Sequence, residues 1–262
     1  MSKLWMREAQ ILVAGMEIRH PPMTLEFNIE FDDSPEPNLS ELTIYNLSDD
    51  TIARIKKGAN IILNAGYKGN AGTILAGEVI LAKTYWDGVG KITEIKAGDG
   101  VSAWLTSSVS KTFKAGTKAS QIIKDIVGGF GLEIGEIKLA NNITYAEGKT
   151  CYGSLQQVLQ QVVNDTGSKM HITNGVVMVR APEAGTVTGF LLNSDTGLIG
   201  TPGVIEDGKA DYQVECLLNH RITTDSLIQI QSKTANGNFR VKKGKHSGTE
   251  QSWITEMEVV AL

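Results

Sequence analysis

The chain is poor in the residues that build covalent or metal-bound frameworks. Its 262 residues include two cysteines, four histidines and six prolines. Two cysteines cannot staple a chain of this length, so we predict that Cys151 and Cys216 are reduced thiols in a reducing compartment. No histidine has metal-ligand spacing to another histidine or to a cysteine, so no zinc or calcium site is predicted.

Long apolar runs and a basic charge balance are also missing. No segment reaches the roughly 18 consecutive apolar residues that a membrane-spanning helix needs. The first apolar stretch contains Arg7 and Glu8 and lacks the small-residue pattern of a signal-peptide cleavage site. We therefore expect a protein made in the cytoplasm, without a membrane segment. The net charge of −4 and the pI near 5.6 argue against tight wrapping of nucleic acid, which needs a basic face.

Catalytic motifs are scarce. Gly148-Lys149-Thr150 resembles the end of a phosphate-binding loop, but Ile143 stands where that loop needs a glycine. There is no G-x-S-x-G motif, and acidic pairs such as Asp32-Asp33 are best explained as solvated turns. We therefore predict no catalytic residue, no metal, no cofactor and no enzyme activity.

The composition is that of a globular protein, with 41% hydrophobic and 21% charged residues. In the first hundred residues, apolar and polar side chains alternate from Leu25 to Phe31, which predicts a half-buried strand. Ser48 is a predicted N-cap of a short helix. Strands are predicted over 60–66, 73–85 and 91–97, and the glycine-rich turns between them favour hairpins.

The middle of the chain has a different pattern. Ile122, Ile123 and Ile126 have helical spacing, and Ser154 with Gln157 forms a capping box before a second helix. Asn174-Gly175 predicts a tight hairpin turn. The last part returns to strands, predicted over 214–218, 227–231, 239–243 and 253–260.

These patterns predict an α+β, mostly β fold with two β-barrel-like domains flanking a small α/β insert. The predicted boundaries are 1–105 for the N-terminal β-barrel domain, 106–183 for the insert and 184–262 for the C-terminal β-barrel domain. No internal repeat is visible in the sequence.

A few residues are candidates for contacts between subunits. Trp5 and Trp253 lie near the two ends of the chain, where each could fill the core or anchor a neighbouring subunit. Lys242, Lys243 and Lys245 form the one basic cluster. It is predicted to cap an exposed hairpin, with weak contact to an acidic partner or to nucleic acid as the alternative.

Several segments, taken together and in this order, resemble the tailed-phage baseplate hub (tail hub) proteins. The segments are Leu42–Ser48, Ile55–Gly58, Leu63–Tyr67, Gly77–Ile80, Gly98–Gly100, Thr196–Pro202 and Asn236–Val241 followed by His246. The chain departs from the family pattern at His220, at Asp225-Ser226 and at Ser247-Gly248-Thr249. These departures touch turns at one edge of the last domain.

The resemblance implies a structural homotrimer in a virion tail baseplate, assembled in the bacterial host cytoplasm. Two β-barrel-like domains per subunit would give three subunits six similar barrels. Such a ring adapts a sixfold tail tube to a threefold tail tip and leaves a channel for DNA. The implied partners are the tail tube or distal-tail protein, the tail-tip or spike protein, the tape-measure protein and DNA in passage. The alternatives are a tail-associated cell-wall hydrolase or wall-binding module, or a tube or distal-tail protein.

Overall fold

The computed structural model describes residues 5–98, 101–206, 208 and 210–262, without the side chains of 101–103. The described residues divide into two compact units. The larger unit contains 5–32, 38–98 and 185–262, and the smaller unit contains 33–37 and 101–184. No described helix is long and apolar enough to cross a membrane.

The first part of the larger unit, called here the N-module, is an antiparallel array with one short helix. Its elements are β1 (Arg7–Val13), β2 (Met16–His20), β3 (Leu25–Phe31), β4 (Leu39–Tyr45), α1 (Asp49–Arg54), β5 (Asn60–Tyr67), β6 (Asn70–Asp87) and β7 (Gly90–Gly98). The strands lie in the order β3-β4-β7-β6-β5-β1-β2. Helix α1 begins as predicted, because the Ser48 side chain accepts a hydrogen bond from the Thr51 N–H at 3.2 Å.

The smaller unit has the predicted α/β character. Its elements are α2 (Val101–Thr106), β8 (Ser108–Phe113), β9 (Thr117–Lys118), α3 (Ala119–Gly129), β10 (Glu133–Lys138), β11 (Thr144–Tyr145), β12 (Lys149–Ser154), α4 (Leu155–Asp165), β13 (Lys169–Thr173) and β14 (Val176–Arg180). The buried faces of α3 and α4 share one hydrophobic core with β13 and β14. The predicted cap of α4 is confirmed, since Ser154 Oγ accepts from the Gln157 N–H at 3.2 Å.

The last part of the larger unit, the C-module, is again built from strands. They are β15 (Thr186–Leu192), β16 (Leu198–Val204), β17 (Tyr212–Leu217), β18 (Ser226–Gln231), β19 (Asn236–Gly248) and β20 (Trp253–Ala261). Their order is β15-β18-β19-β20-β17-β16. The β15–β18 pair is parallel and the other pairs are antiparallel.

The two modules repeat one strand order. The series β1-β5-β6-β7-β4-β3 of the N-module matches β15-β18-β19-β20-β17-β16 of the C-module strand for strand. The match also keeps the order along the chain. β6 and β19 each contain a bulge against the following strand, between Val79 and Leu81 in β6 and between Val241 and Lys243 in β19. Val79 and Val241 are therefore equivalent, and both are buried.

A backbone detail supports this match. Gly58, just before β5, has a φ of +82° and donates its N–H to the Val79 carbonyl at 2.8 Å. Asp225, just before β18, has a φ of +62° and donates its N–H to the equivalent Val241 carbonyl at 2.9 Å. The same left-handed turn is therefore made by glycine in one module and by aspartate in the other.

The mostly β class is confirmed, but the prediction of β-barrels needs correction. β3 pairs with β19, so the strands of both modules join one open 13-stranded sheet in the part of the chain that is described. The sheet covers two separate hydrophobic cores, with Phe27 and Trp253 in the first and Phe31 and Phe239 in the second. Alternating sequence patterns locate strands, but closure depends on which strand edges pair, and sequence alone does not specify those edges.

Candidate contact surfaces

The two cysteines are confirmed as free thiols, and both are buried. Burial raises the pKa of the Cys216 thiol to about 12 and also raises the pKa of Cys151. Both therefore stay protonated at neutral pH. Within the described residues, no group of three or more His, Cys, Asp or Glu side chains is arranged to hold a metal ion.

The basic cluster lies inside a strand rather than on a hairpin turn. Lys242, Lys243 and Lys245 belong to β19, and Lys242 occupies the bulge. The prediction of a hairpin cap is therefore wrong. The reason is that β19 continues to Gly248, so the turn to β20 lies beyond the lysines, where Gly248 pairs with Trp253.

Two of these lysines pair with carboxylates across the sheet. Lys243 Nζ lies 2.9 Å from Glu258 Oε1, and Lys245 Nζ lies 2.7 Å from Glu256 Oε2. The partners stand directly opposite each other in the β19–β20 register. Such exposed cross-strand pairs contribute only about 0.2–1 kcal/mol each. Their larger effect is to neutralise this face, so it does not present a free basic patch.

Next to these pairs is an open groove of about 300 Å³. Its lining includes Phe31, Gly244 and Met257 together with the acidic residues Glu30 and Asp32. A side chain at Gly244 would collide with the Glu256 carbonyl and the Phe31 ring, so only glycine permits this close approach of β19 to its neighbours. The groove is shaped by backbone packing and bordered by charge.

The two candidate tryptophans have opposite environments. Trp253 is 2% exposed and packs edge-on against Phe27, with ring centroids 5.2 Å apart. Its indole N–H donates to the Thr249 carbonyl at 3.1 Å, and its carbonyl accepts from the Tyr67 hydroxyl at 3.0 Å. Trp253 therefore packs inside its own subunit. Trp5 is 75% exposed and available to a partner.

A second exposed aromatic group lies at the end of the β6–β7 hairpin. Trp86 is 68% exposed, and Tyr85 and Val89 are exposed beside it. Lys91 Nζ lies 5.6 Å from the centre of the Trp86 ring and 2.6 Å from Asp49 Oδ1. This exposed aromatic tip was not predicted from the sequence. One signal was present in the sequence: β6 continues past its last core residue, and the apolar Trp86 and Val89 lie on either side of the turn at Asp87-Gly88.

Among the open strand edges of the described chain, two lie at equivalent places in the two modules. β16 pairs with β17 alone, and the part of β6 from Leu81 to Asp87 pairs with β7 alone. An unpaired edge presents backbone N–H and C=O groups to another chain. The open edges, the aromatic tip and Trp5 are thus the features of the larger unit best suited to protein contacts.

Comparison with known proteins decides the family. Residues 33–249 match the family model described as baseplate hub gp41. The chain belongs to this baseplate hub family. It is therefore a structural component of a phage tail. A comparison with curated proteins gave no significant match.

Solved tail proteins share the fold of this baseplate hub chain. The 43 kDa tail protein of prophage MuSo2 from Shewanella oneidensis is 11% identical, with a TM-score of 0.74 and 97% of each chain covered. A tail protein from Neisseria meningitidis MC58 is 9% identical, with a TM-score of 0.68 and coverages of 97% of this chain and 96% of that one.

A third similar structure comes from a secretion system. The E. coli c3393 protein is described as a component of the type VI secretion system, structurally similar to the T4 phage tail proteins gp27 and gp5. It is 10% identical, with a TM-score of 0.70, and the match covers 96% of this chain and 76% of that one. At such low identity these three likenesses establish the fold.

Proposed function

We propose that this baseplate hub protein is a non-enzymatic homotrimer whose ring adapts a sixfold tail tube to a threefold tail tip. One observation carries the proposal: the N-module and the C-module have the same strand order, the same bulge and the same left-handed turn. Three copies of such a chain supply six comparable modules. A cyclic assembly of three then meets a sixfold partner on one face and a threefold partner on the other.

The proposed partners follow from this geometry and from the family. They are the tail tube or distal-tail protein on the sixfold side, the tail-tip or spike protein on the threefold side, and the tape-measure protein. DNA passes through the central channel, and the ring is assembled in the host cytoplasm. The net charge of −4 is compatible with a channel along which DNA slides without binding tightly.

We also propose a role for the candidate contact residues. Trp5 offers an exposed apolar ring to a neighbouring subunit or tail protein. Lys242, Lys243 and Lys245 contribute at most a weak polar rim, because Lys243 and Lys245 are already paired with glutamates. Trp253 is left out of the proposed contacts, since its ring is enclosed by its own core.

Native mass spectrometry of the purified chain at micromolar concentration tests the trimer. The proposal expects a main species of three copies. A hexamer would instead favour a tube or distal-tail protein, and a monomer alone would contradict the hub ring. Incubation with purified cell walls tests the absence of enzyme activity: no clearing is expected, whereas clearing would favour a hydrolase.

A further inference from the structure

The two modules of one chain are joined through two particular strand edges. β3, the strand at one edge of the N-module, pairs antiparallel with the second half of β19. The paired segment extends from Phe31 opposite Gly244 to Phe27 opposite Gly248. This junction shows how the end of one module pairs with the other.

The equivalent edges of the two modules are both open. By the shared strand order, β16 is the counterpart of β3, and β6 is the counterpart of β19. In the described chain, neither β16 nor the segment of β6 from Leu81 to Asp87 has a strand on its second side. A second copy of the chain could therefore repeat the internal junction between these two edges.

Apolar side chains are exposed at both open edges. Val204, the last residue of β16, is 70% exposed, and Trp86 on β6 is 68% exposed. Tyr85 is exposed beside Trp86. A strand edge with apolar side chains is a template for pairing with another chain, and soluble proteins normally protect it with charges or cover it.

The direction of the backbone groups fits such pairing. The Ile205 N–H donates to the Asp211 carbonyl on the β17 side, so the N–H and C=O of Val204 point to the open side. Just before β3, the Thr24 carbonyl accepts from the Tyr45 N–H on the β4 side. Backbone groups alternate between the two sides of a strand, so the N–H and C=O of Ile29 point to the other side, towards β19. Val204 and Ile29 are thus equivalent in their hydrogen-bonding direction.

The internal junction predicts the register of the second one. In the internal junction, Ile29 pairs with His246. When β6 and β19 are aligned at their bulges, His246 is equivalent to Thr84. Val204 is therefore expected opposite Thr84. Its neighbour Gly203 is then expected opposite Tyr85.

The pairing has a defined end. Pro202 has no N–H, and its carbonyl accepts from the Thr234 hydroxyl at 2.9 Å. The hydrogen-bonded ladder therefore does not extend from Val204 back to Pro202, and this junction is shorter than the one between β3 and β19. A short ladder leaves the exposed apolar side chains to supply much of the contact.

We infer that β16 of one copy pairs antiparallel with the second half of β6 of the next copy. This inference rests on the hub ring proposed above. Each chain gives one edge and receives the other, which makes the contact heterologous and allows a ring to close. The same type of junction then joins modules within a chain and between chains. The pairing also covers Val204 and Trp86.

Disulfide trapping with Tyr85→Cys and Gly203→Cys in one chain tests the register. In the expected ladder these two residues form a non-hydrogen-bonded pair, where Cα atoms are about 4.5 Å apart and a disulfide can form. A side chain at Gly203 meets no atom within 4 Å, so the substitution fits. The native cysteines are buried and do not compete.

The expected result is a covalent trimer under mild oxidation on non-reducing gels. Thr84→Cys with Gly203→Cys is the matched control, because neighbouring residues of a strand point to opposite faces; it should cross-link at least tenfold less. A trimer by native mass spectrometry that does not cross-link through Tyr85→Cys, or that cross-links equally in the control, overturns this inference and leaves the hub ring standing. A chain that stays monomeric overturns both.

Discussion

The N-module and the C-module have one strand order, apart from the direction of their first strands, but different interiors. Among the described residues of the larger unit, the buried aspartate, arginine and histidine side chains are Asp225, Arg240 and His246, all in the C-module. The buried polar residues of the N-module are the uncharged Asn38, Ser40 and Thr93. The same strand order is therefore compatible with different chemistry at individual buried positions, as long as buried charges find partners.

Asp225→Ala is expected to break the C-module most strongly. Asp225 Oδ1 accepts from Arg240 Nη1 at 2.8 Å in a buried site. Removing one partner of a buried ion pair leaves an unpaired charge and costs about 3–5 kcal/mol. Chemical denaturation would measure the lost free energy of unfolding.

The comparison between modules supplies the control for that prediction. The equivalent of Asp225 in the N-module is Gly58, which makes the same turn without a charge. Asp225→Gly combined with Arg240→Leu should recover most of the loss, because both charges are removed and the left-handed conformation suits glycine. A double variant as unstable as Asp225→Ala would show that the ion pair is not the cause.

Acid should weaken the C-module before the N-module. Burial lowers the pKa of His246 to about 3, and the nearby His220 lowers it further. A hydrogen bond with the backbone of Ile222 acts in the opposite direction and raises this pKa. Its Nδ1 lies 2.9 Å from Thr255 Oγ1, and its ring centroid lies 4.9 Å from that of Phe31. Native His246 is therefore neutral at neutral pH.

The sign of the pH effect follows from linkage. Below about pH 6.5 the unfolded chain takes up a proton at this histidine and the native chain does not, so stability falls as the pH drops towards 3. The loss from this group between pH 7 and pH 4 is about 3 kcal/mol. Hydrogen exchange should lose protection first in β18–β20, and His246→Gln should flatten the pH dependence. An unchanged slope in that variant would contradict the assignment.

Gly58→Ala should produce a smaller loss in the N-module. Its φ of +82° is in the left-handed region, and an added Cβ would meet no atom within 4 Å, so the cost is backbone strain alone. About 1 kcal/mol is expected by thermal denaturation. Gly203→Ala is the control: its backbone is not left-handed and its Cβ position is also open, so a change below about 0.5 kcal/mol is expected. Equal effects at the two positions would contradict the strain argument.

The sequence predicted local structure well because local structure depends on local patterns. The alternation from Leu25 to Phe31, the Ser154 cap and the Asn174-Gly175 turn correspond to β3, α4 and the β13–β14 hairpin. The family resemblance was also confirmed.

Long-range pairing was not predictable in the same way. Nothing in the sequence near Phe31 or Gly244 indicates that β3 pairs with β19 across two hundred residues, so the open sheet was missed. The module repeat was invisible because equivalent residues, such as Gly58 and Asp225, share a backbone role but no chemical identity. The burial of Trp253 likewise depends on Phe27 and Tyr67, which lie far away in the chain.

Rotational averaging of end-on electron micrographs tests whether each chain supplies two equivalent modules to a ring. We expect rings of three chains whose low-resolution projections have six nearly equal densities and whose finer detail is threefold. Rings with six chains, or three-chain rings whose two modules lie at clearly different radii, would contradict the claim that one chain supplies two equivalent units.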